Sequence, residues 1–202
     1  MTLGILGGTF DPIHLGHLVI ARAALDELAL NRVLFLPDGD PPHKQPNVSK
    51  QDRLRMAQLA CEGEPRFLIS DMELRRPGRT YTVDTLLALQ AMGEQDLMYL
   101  VGSDTLAQFP TWRTAERVAK LCRMAVVLRP GDDRAEVARL QDRMLTDYGL
   151  ESRLLSTMGL TISSSMVREA VAQGHPIDHL VPAPVADYIK RHDLYRSAKF
   201  VT

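Results

Sequence analysis

His14 and His17 stand three residues apart in Gly7-Gly8-Thr9-Phe10-Asp11-Pro12-Ile13-His14-Leu15-Gly16-His17, which holds two adjacent glycines and leads into a periodic apolar run. Imidazoles at that spacing share one face of a first helical turn. Paired glycines let a backbone come close to a ligand, and a helix N-terminus presents unpaired N–H groups and partial positive charge. These residues make a phosphate site at which both imidazoles are aimed. The alternatives fare less well. No Gly-Lys-Ser/Thr follows, and Gly4, Gly7 and Gly8 have the wrong spacing for a dinucleotide fingerprint. As a zinc pair, His-x-x-His lacks a third ligand nearby. Histidines that only cap a helix would leave the adjacent glycines unexplained.

A site of this kind needs a strand before it and a helix after it. Leu3-Gly4-Ile5-Leu6 suits a buried parallel strand, and Leu18 to Leu28 has helical apolar periodicity. Further strands are read at Arg32–Pro37, Phe67–Ile69, Asp96–Val101 and Met124–Leu128, with a weak candidate at Leu154-Leu155. Helical runs alternate with them: one opened by Ser49 with Asp52 in a capping-box arrangement, one after Thr82, then Arg134–Tyr148, Ser164–Ala172 and Pro184–His192. Strict alternation predicts an α/β, doubly wound parallel sheet of about five strands, a single domain over 1–202, with the loops at the strand C-termini gathered on one edge.

Several residues on that edge have two readings. Lys44 follows Pro41-Pro42-His43 and is either a solvated cation or, with His43, a phosphate contact on a stiffened loop. Thr82 is either a helix cap or a hydroxyl offered to a carboxylate. Asp104, after Gly102-Ser103, either caps a helix or binds a ribose. Trp112, the single tryptophan, is either core or a ring that stacks on a planar ligand. Ser163 opens a helix with Arg168 one turn in, a second anion site. The basic run Arg75-Arg76-Pro77-Gly78-Arg79 reads as solvated surface.

The 202 residues suffice for one sizeable core, and a net charge of −1 argues against a nucleic-acid partner, which would select a basic excess. Cys61 and Cys122, set among Leu, Ala and Met, read as buried thiols of a reducing compartment. No apolar run reaches the ~18 residues of a membrane span. With no signal-like start, a cytoplasmic protein without a membrane partner is expected, with monomer and homo-oligomer both open.

Gly8-Thr9-Phe10-Asp11-Pro12-x-His14-x-Gly16-His17 resembles the T/HxGH signature of the nucleotidyltransferase superfamily, and Ile162-Ser163-Ser164-Ser165-Met166-Val167-Arg168 resembles its second motif, with Ser165 where Thr is usual. Pro41-Pro42-His43-Lys44, Tyr81–Thr85, Gly102-Ser103-Asp104, Pro110-Thr111-Trp112, Arg129-Pro130-Gly131 and Leu194-Tyr195-Arg196 are similar to blocks of bacterial nicotinate-nucleotide adenylyltransferases; Asp38 stands where many members have Asn. The resemblance implies a Rossmann-like nucleotidyltransferase that moves AMP from ATP to nicotinate mononucleotide, giving deamido-NAD and pyrophosphate in NAD biosynthesis. By it, Gly8, Thr9, Phe10, His14 and His17 would bind the ATP phosphates, opposed by Ile162, Ser163, Ser165 and Arg168, with Gly102 and Asp104 on the same substrate. His14, His17 and Arg168 would be catalytic. Asp38, His43, Lys44, Thr82, Trp112 and Arg113 would serve the acceptor: Lys44 its phosphate, Thr82 and the Arg113 N–H its carboxylate, Trp112 its ring. No residue is expected to ligate a metal, because Mg2+ would be held mainly by ATP phosphates and water. A transferase with another acceptor, phosphopantetheine or nicotinamide mononucleotide, and a non-catalytic nucleotide-binding module are the competing readings. The Trp112 and Thr82 blocks argue against phosphopantetheine, and retention of both histidines and Arg168 argues against the module.

Overall fold

The computed structural model describes residues 1–40 and 45–196. Six strands form one sheet: β1 (Leu3–Gly8), β2 (Arg32–Pro37), β3 (Phe67–Ile69), β4 (Leu97–Gly102), β5 (Arg123–Leu128) and β6 (Ser152–Met158). Their order is β3-β2-β1-β4-β5-β6 and every neighbouring pair is parallel. The chain winds outward from β1 through β2 to β3, then returns to β4 on the other side of β1. The order reverses between β1 and β4, and beyond their C-terminal ends lies the crevice where open α/β sheets bind ligands.

Alternation along the strands splits the core in two. Leu6, Phe35, Leu100 and Val127 face the helices α1 (Leu15–Glu27), α2 (Lys50–Cys61), α8 (Ser164–Ala172) and α9 (Ala183–Arg191). Ile5, Leu34, Leu36, Val101 and Val126 face α4 (Thr82–Ala91), α5 (Ser103–Ala107), α6 (Ala115–Leu121) and α7 (Arg134–Tyr148). Ala21, Ala23 and Ala24 are buried on α1, so small side chains let this helix lie close to the sheet. Cys61 and Cys122 are free and buried, one in each core, and burial pushes both thiols up to about 12. Among the described residues no helix is long and apolar enough to cross a membrane.

Among the described residues the sheet has six strands, where the sequence predicts about five. β6 is an edge strand with only Leu155 buried, and Glu27 of α1 accepts from the N–H groups of Ser156 (2.6 Å) and Thr157 (3.0 Å). Its polar alternation carries little hydrophobic signal, which is why only Leu154-Leu155 stood out. The basic run begins in a four-residue helix, α3 (Met72–Arg75), whose Glu73 is buried.

Candidate active site

β1 ends at Gly8, and the turn that follows is bent by Phe10, whose φ of 48° is left-handed. Its ring is buried and meets the His17 ring edge-on at 5.0 Å. His14 is the N-cap of α1 and His17 the third residue of the helix. The His14 N–H donates to His17 Nδ1 (3.1 Å), the His17 N–H donates to the His14 carbonyl (3.0 Å), and the two imidazoles stack at 3.7 Å. Because Nδ1 of His17 accepts, its ring proton sits on Nε2, which makes that atom a donor. Burial pushes His14 down to about 4, with the Arg129 guanidinium adding to the effect, so its ring is neutral at pH 7.

A cavity of about 810 Å³ opens above this turn, within the range of small-molecule sites. Gly8, Thr9, His14, His17, Gly102, Ile162 and Ser163 line it, and so do Asp38, Thr82, Trp112 and Arg113. Phe10, Asp104, Ser165 and Arg168 stand outside this lining. The Asp104 carboxylate is held by Arg129 through two bonds of 3.1 Å, and Arg129 itself lines the cavity. His43 and Lys44 lie outside the described residues.

The second motif abuts the first. Ser163 caps α8, its Oγ accepting from the Met166 N–H (3.2 Å), and Ser164 Oγ donates to the Pro12 carbonyl (2.8 Å). Arg168 donates to the Asp11 carbonyl (2.6 Å) and to Ser165 Oγ (3.1 Å). The helix that carries Ser163 and Arg168 is thereby fastened to the turn that carries the histidines.

Trp112 follows a 3-10 turn (Phe109–Thr111) and is half-buried, packed edge-on against Tyr99 at 5.7 Å and tilted against Phe109 at 5.6 Å. Thr82 opens α4, and both it and Tyr99 line the cavity. The Arg113 guanidinium lies 4.5 Å over the Tyr81 ring, and among the described residues its backbone N–H donates to nothing. Asp38, just past β2, accepts from Thr9 Oγ1 at 3.3 Å and so joins the loop after β2 to the turn after β1.

Sequence reasoning missed three supports of the site. Asp11, nearly buried, accepts from Asn47 N–H (2.8 Å), Asn47 Nδ2 (2.7 Å) and the Tyr195 hydroxyl (2.9 Å). Arg53 of α2 is wholly buried beneath the turn. Arg129, at the end of β5, faces both His14 and Asp104. Asp11 lies inside the quoted motif and Arg129 follows a strand on the ligand edge, but Arg53 left no signal. Among the described residues no group of three His, Cys, Asp or Glu is placed to hold a metal ion alone.

The cytidylyltransferase-like family matches this chain over residues 5–170. The "Probable nicotinate-nucleotide adenylyltransferase" of Thermomicrobium roseum is 43% identical, over 98% of this chain and 92% of its own. The protein of the same name from Dehalococcoides mccartyi is 42% identical, over 95% and 96%. Among solved structures, Plasmodium falciparum nicotinic acid mononucleotide adenylyltransferase complexed with NaAD shares the fold with a TM-score of 0.79 at 17% identity, over 96% of this chain and 97% of that one. Matches of this extent, end to end and on both motifs, place the chain in the cytidylyltransferase-like family of nucleotidyltransferases, among the nicotinate-nucleotide adenylyltransferases.

Proposed function

We propose that this chain moves AMP from ATP to nicotinate mononucleotide, releasing pyrophosphate and forming nicotinate adenine dinucleotide. The observation that carries the reading is one cavity lined by two chemically distinct sets of groups. One is a glycine turn and helix N-terminus with two imidazoles, suited to a triphosphate; the other offers an indole, a hydroxyl and a backbone N–H, suited to an aromatic carboxylate. The names of the relatives support the same substrates.

In this reading the adenylyl donor lies with its phosphates on Gly8, Thr9, His14 and His17. Ser163, Ser165 and Arg168 close on them from α8, and Arg168 exchanges its bond to the Asp11 carbonyl for phosphate oxygens. A phosphate oxygen of the acceptor attacks the α-phosphorus in line. The new O–P bond forms as the bond to the bridging oxygen breaks, and the electron pair leaves with pyrophosphate. A phosphate oxygen is already a nucleophile at pH 7, so the step needs neither a general base nor a covalent enzyme intermediate. Positioning and charge stabilisation remain, and the His17 Nε2–H supplies a donor where charge grows.

The residues present are anion binders, which fits a divalent cation that arrives on the nucleotide and keeps phosphate and water ligands. Mg2+ held in this way neutralises charge on the departing pyrophosphate. On the acceptor side Trp112 stacks on the pyridine ring and Thr82 and the Arg113 N–H take its carboxylate, and Lys44, which lies outside the described residues, would meet its phosphate. The test is pyrophosphate release from ATP with Mg2+, acceptor by acceptor, with the dinucleotide identified by mass. Release that depends on nicotinate mononucleotide and yields the expected dinucleotide upholds the reading; release without acceptor, or none with it, defeats it.

A further inference from the structure

Arg53 has no part in the chemistry above, yet its side chain sits between the two loops that the two substrates need. It lies in the second turn of α2 with no exposed surface. Nη1 donates to the Thr9 carbonyl at 2.7 Å and Nη2 donates to the Asp38 carbonyl at 2.8 Å. Thr9 belongs to the phosphate turn after β1; Asp38 opens the acceptor loop after β2. The strands run in register to Gly8 and Pro37, and one last backbone bond, Asp38 N–H to the Gly8 carbonyl at 2.9 Å, closes the ladder. Beyond that bond the planar guanidinium ties the two loops at their backbones, beside the side-chain contacts of Thr9 with Asp38 (3.3 Å) and of Asn47 with Asp11 (2.8 and 2.7 Å).

Stability alone is a poor reason for this arrangement. A buried guanidinium carries a large desolvation cost, and Nε of Arg53 is buried without a partner among the described residues. A Met or Leu would fill the same space without that cost, though it would leave the two carbonyls without this donor. What an apolar side chain cannot do is donate two bonds in a fixed fork to two separate carbonyls. The base of the fork is held as well. Ser49 caps α2 by accepting from the Asp52 N–H at 3.1 Å, and the Asp52 carboxylate accepts from the Tyr188 hydroxyl of α9 at 2.9 Å. Met56 and Ala57, one turn on, are fully buried.

We infer that Arg53 is a positioning residue for the transfer: by bridging the Thr9 and Asp38 carbonyls it fixes the separation of the phosphate turn and the acceptor loop, and with it the approach of the attacking oxygen to the α-phosphorus. This rests on the reading that those two loops hold the two substrates. Each substrate still meets its own contacts when the bridge is lost, so binding survives while alignment does not.

The experiment compares Arg53→Lys, which keeps the charge but not the fork, and Arg53→Met, which keeps the volume but donates nothing. It measures kcat, both KM values, and the binding stoichiometry of a non-hydrolysable ATP analogue by calorimetry. Arg53→Met is expected to lose roughly a hundredfold in kcat, as for a misalignment near 1 Å, with Arg53→Lys in between. Both KM values should stay within about threefold, because uniform binding is untouched. Stoichiometry should stay at one analogue per chain. A kcat within about threefold of the parent in both variants overturns the inference, as does a loss carried by KM. Stoichiometry that falls in step with kcat assigns Arg53 to stability only and also overturns it. If Arg53→Met does not fold, Arg53→Lys decides alone. The unmodified chain in the same assay tests the underlying reaction by itself, so a failure there is told apart from a failure of this role.

Discussion

Gly16→Ala sets helix stability against active-site geometry. Gly16 is the second residue of α1, where Ala is the better helix former by up to ~1 kcal/mol. A Cβ at this position would sit 3.0 Å from both Cε1 and Nδ1 of His14. Ordinary contact starts near 3.5 Å, so the imidazole must retreat by about 0.5 Å. It cannot do so freely: the ring is 7% exposed and stacks on His17 at 3.7 Å, so the displacement passes to His17. Overpacking of this kind costs about 1–3 kcal/mol, which the helical gain partly offsets, leaving a shift in Tm of only a few degrees. Catalysis has no such offset. If a 1 Å misplacement costs about a hundredfold, half of it costs about tenfold in kcat. The assay is pyrophosphate release at saturating substrates beside a thermal melt on the same preparation. A kcat equal to the parent's, with an unchanged Tm, would refute the claim that the two stacked imidazoles are set to within half an ångström for the reaction.

The other predictions are briefer. His17→Ala should lower kcat by roughly a hundredfold or more and ATP affinity far less, because its Nε2–H acts on charge that develops in the transition state; near-normal turnover would make the histidine pair structural. Glu73 is nearly buried and accepts from the Thr85 hydroxyl at 2.6 Å; burial raises it from 4.5 to about 7, with the Asp38 carboxylate adding to the rise. The folded state therefore binds the proton more tightly than the unfolded chain, so the stability from this group is complete below pH 4.5 and lost as pH rises through 7. Glu73→Gln should thus gain stability relative to the parent between pH 5 and pH 8, by about 2–3 kcal/mol at the upper end. A difference in melting temperature that did not change with pH would contradict it.

How much could be read in advance depended on whether chemistry and local structure coincide in sequence. Gly7 to His17 was legible because glycines, a helix start and two imidazoles fall within eleven residues, and the Ser163 cap was legible because a serine at a helix start has a local partner in the Met166 N–H. Arg53 was not. It is buried on α2 together with Met56, Ala57, Ala60 and Cys61. A charge at the head of that stripe reads as solvent-facing until the carbonyls it meets are known. Asp11 was quoted within a motif but given no partner, since Asn47 and Tyr195 reach it from 36 and 184 residues away. Arg168 was placed by spacing one turn into its helix, but spacing does not say that the guanidinium reaches the Asp11 carbonyl.

The central claim is that Thr82 and the Arg113 N–H recognise a carboxylate. A carboxamide turns an NH₂ toward the Arg113 N–H, a donor against a donor, and gives up a charge-assisted bond, a penalty of about 2–4 kcal/mol. The direct measurement gives the enzyme equal amounts of nicotinate and nicotinamide mononucleotide with ATP and Mg2+, and takes the ratio of dinucleotide products as the ratio of kcat/KM. The acid should lead by roughly thirtyfold to a thousandfold, and Thr82→Val should narrow that lead without reversing it, since the backbone donor remains. Comparable yields of the two products from the unmodified chain would contradict the assignment of Thr82, Trp112 and Arg113 to the acceptor.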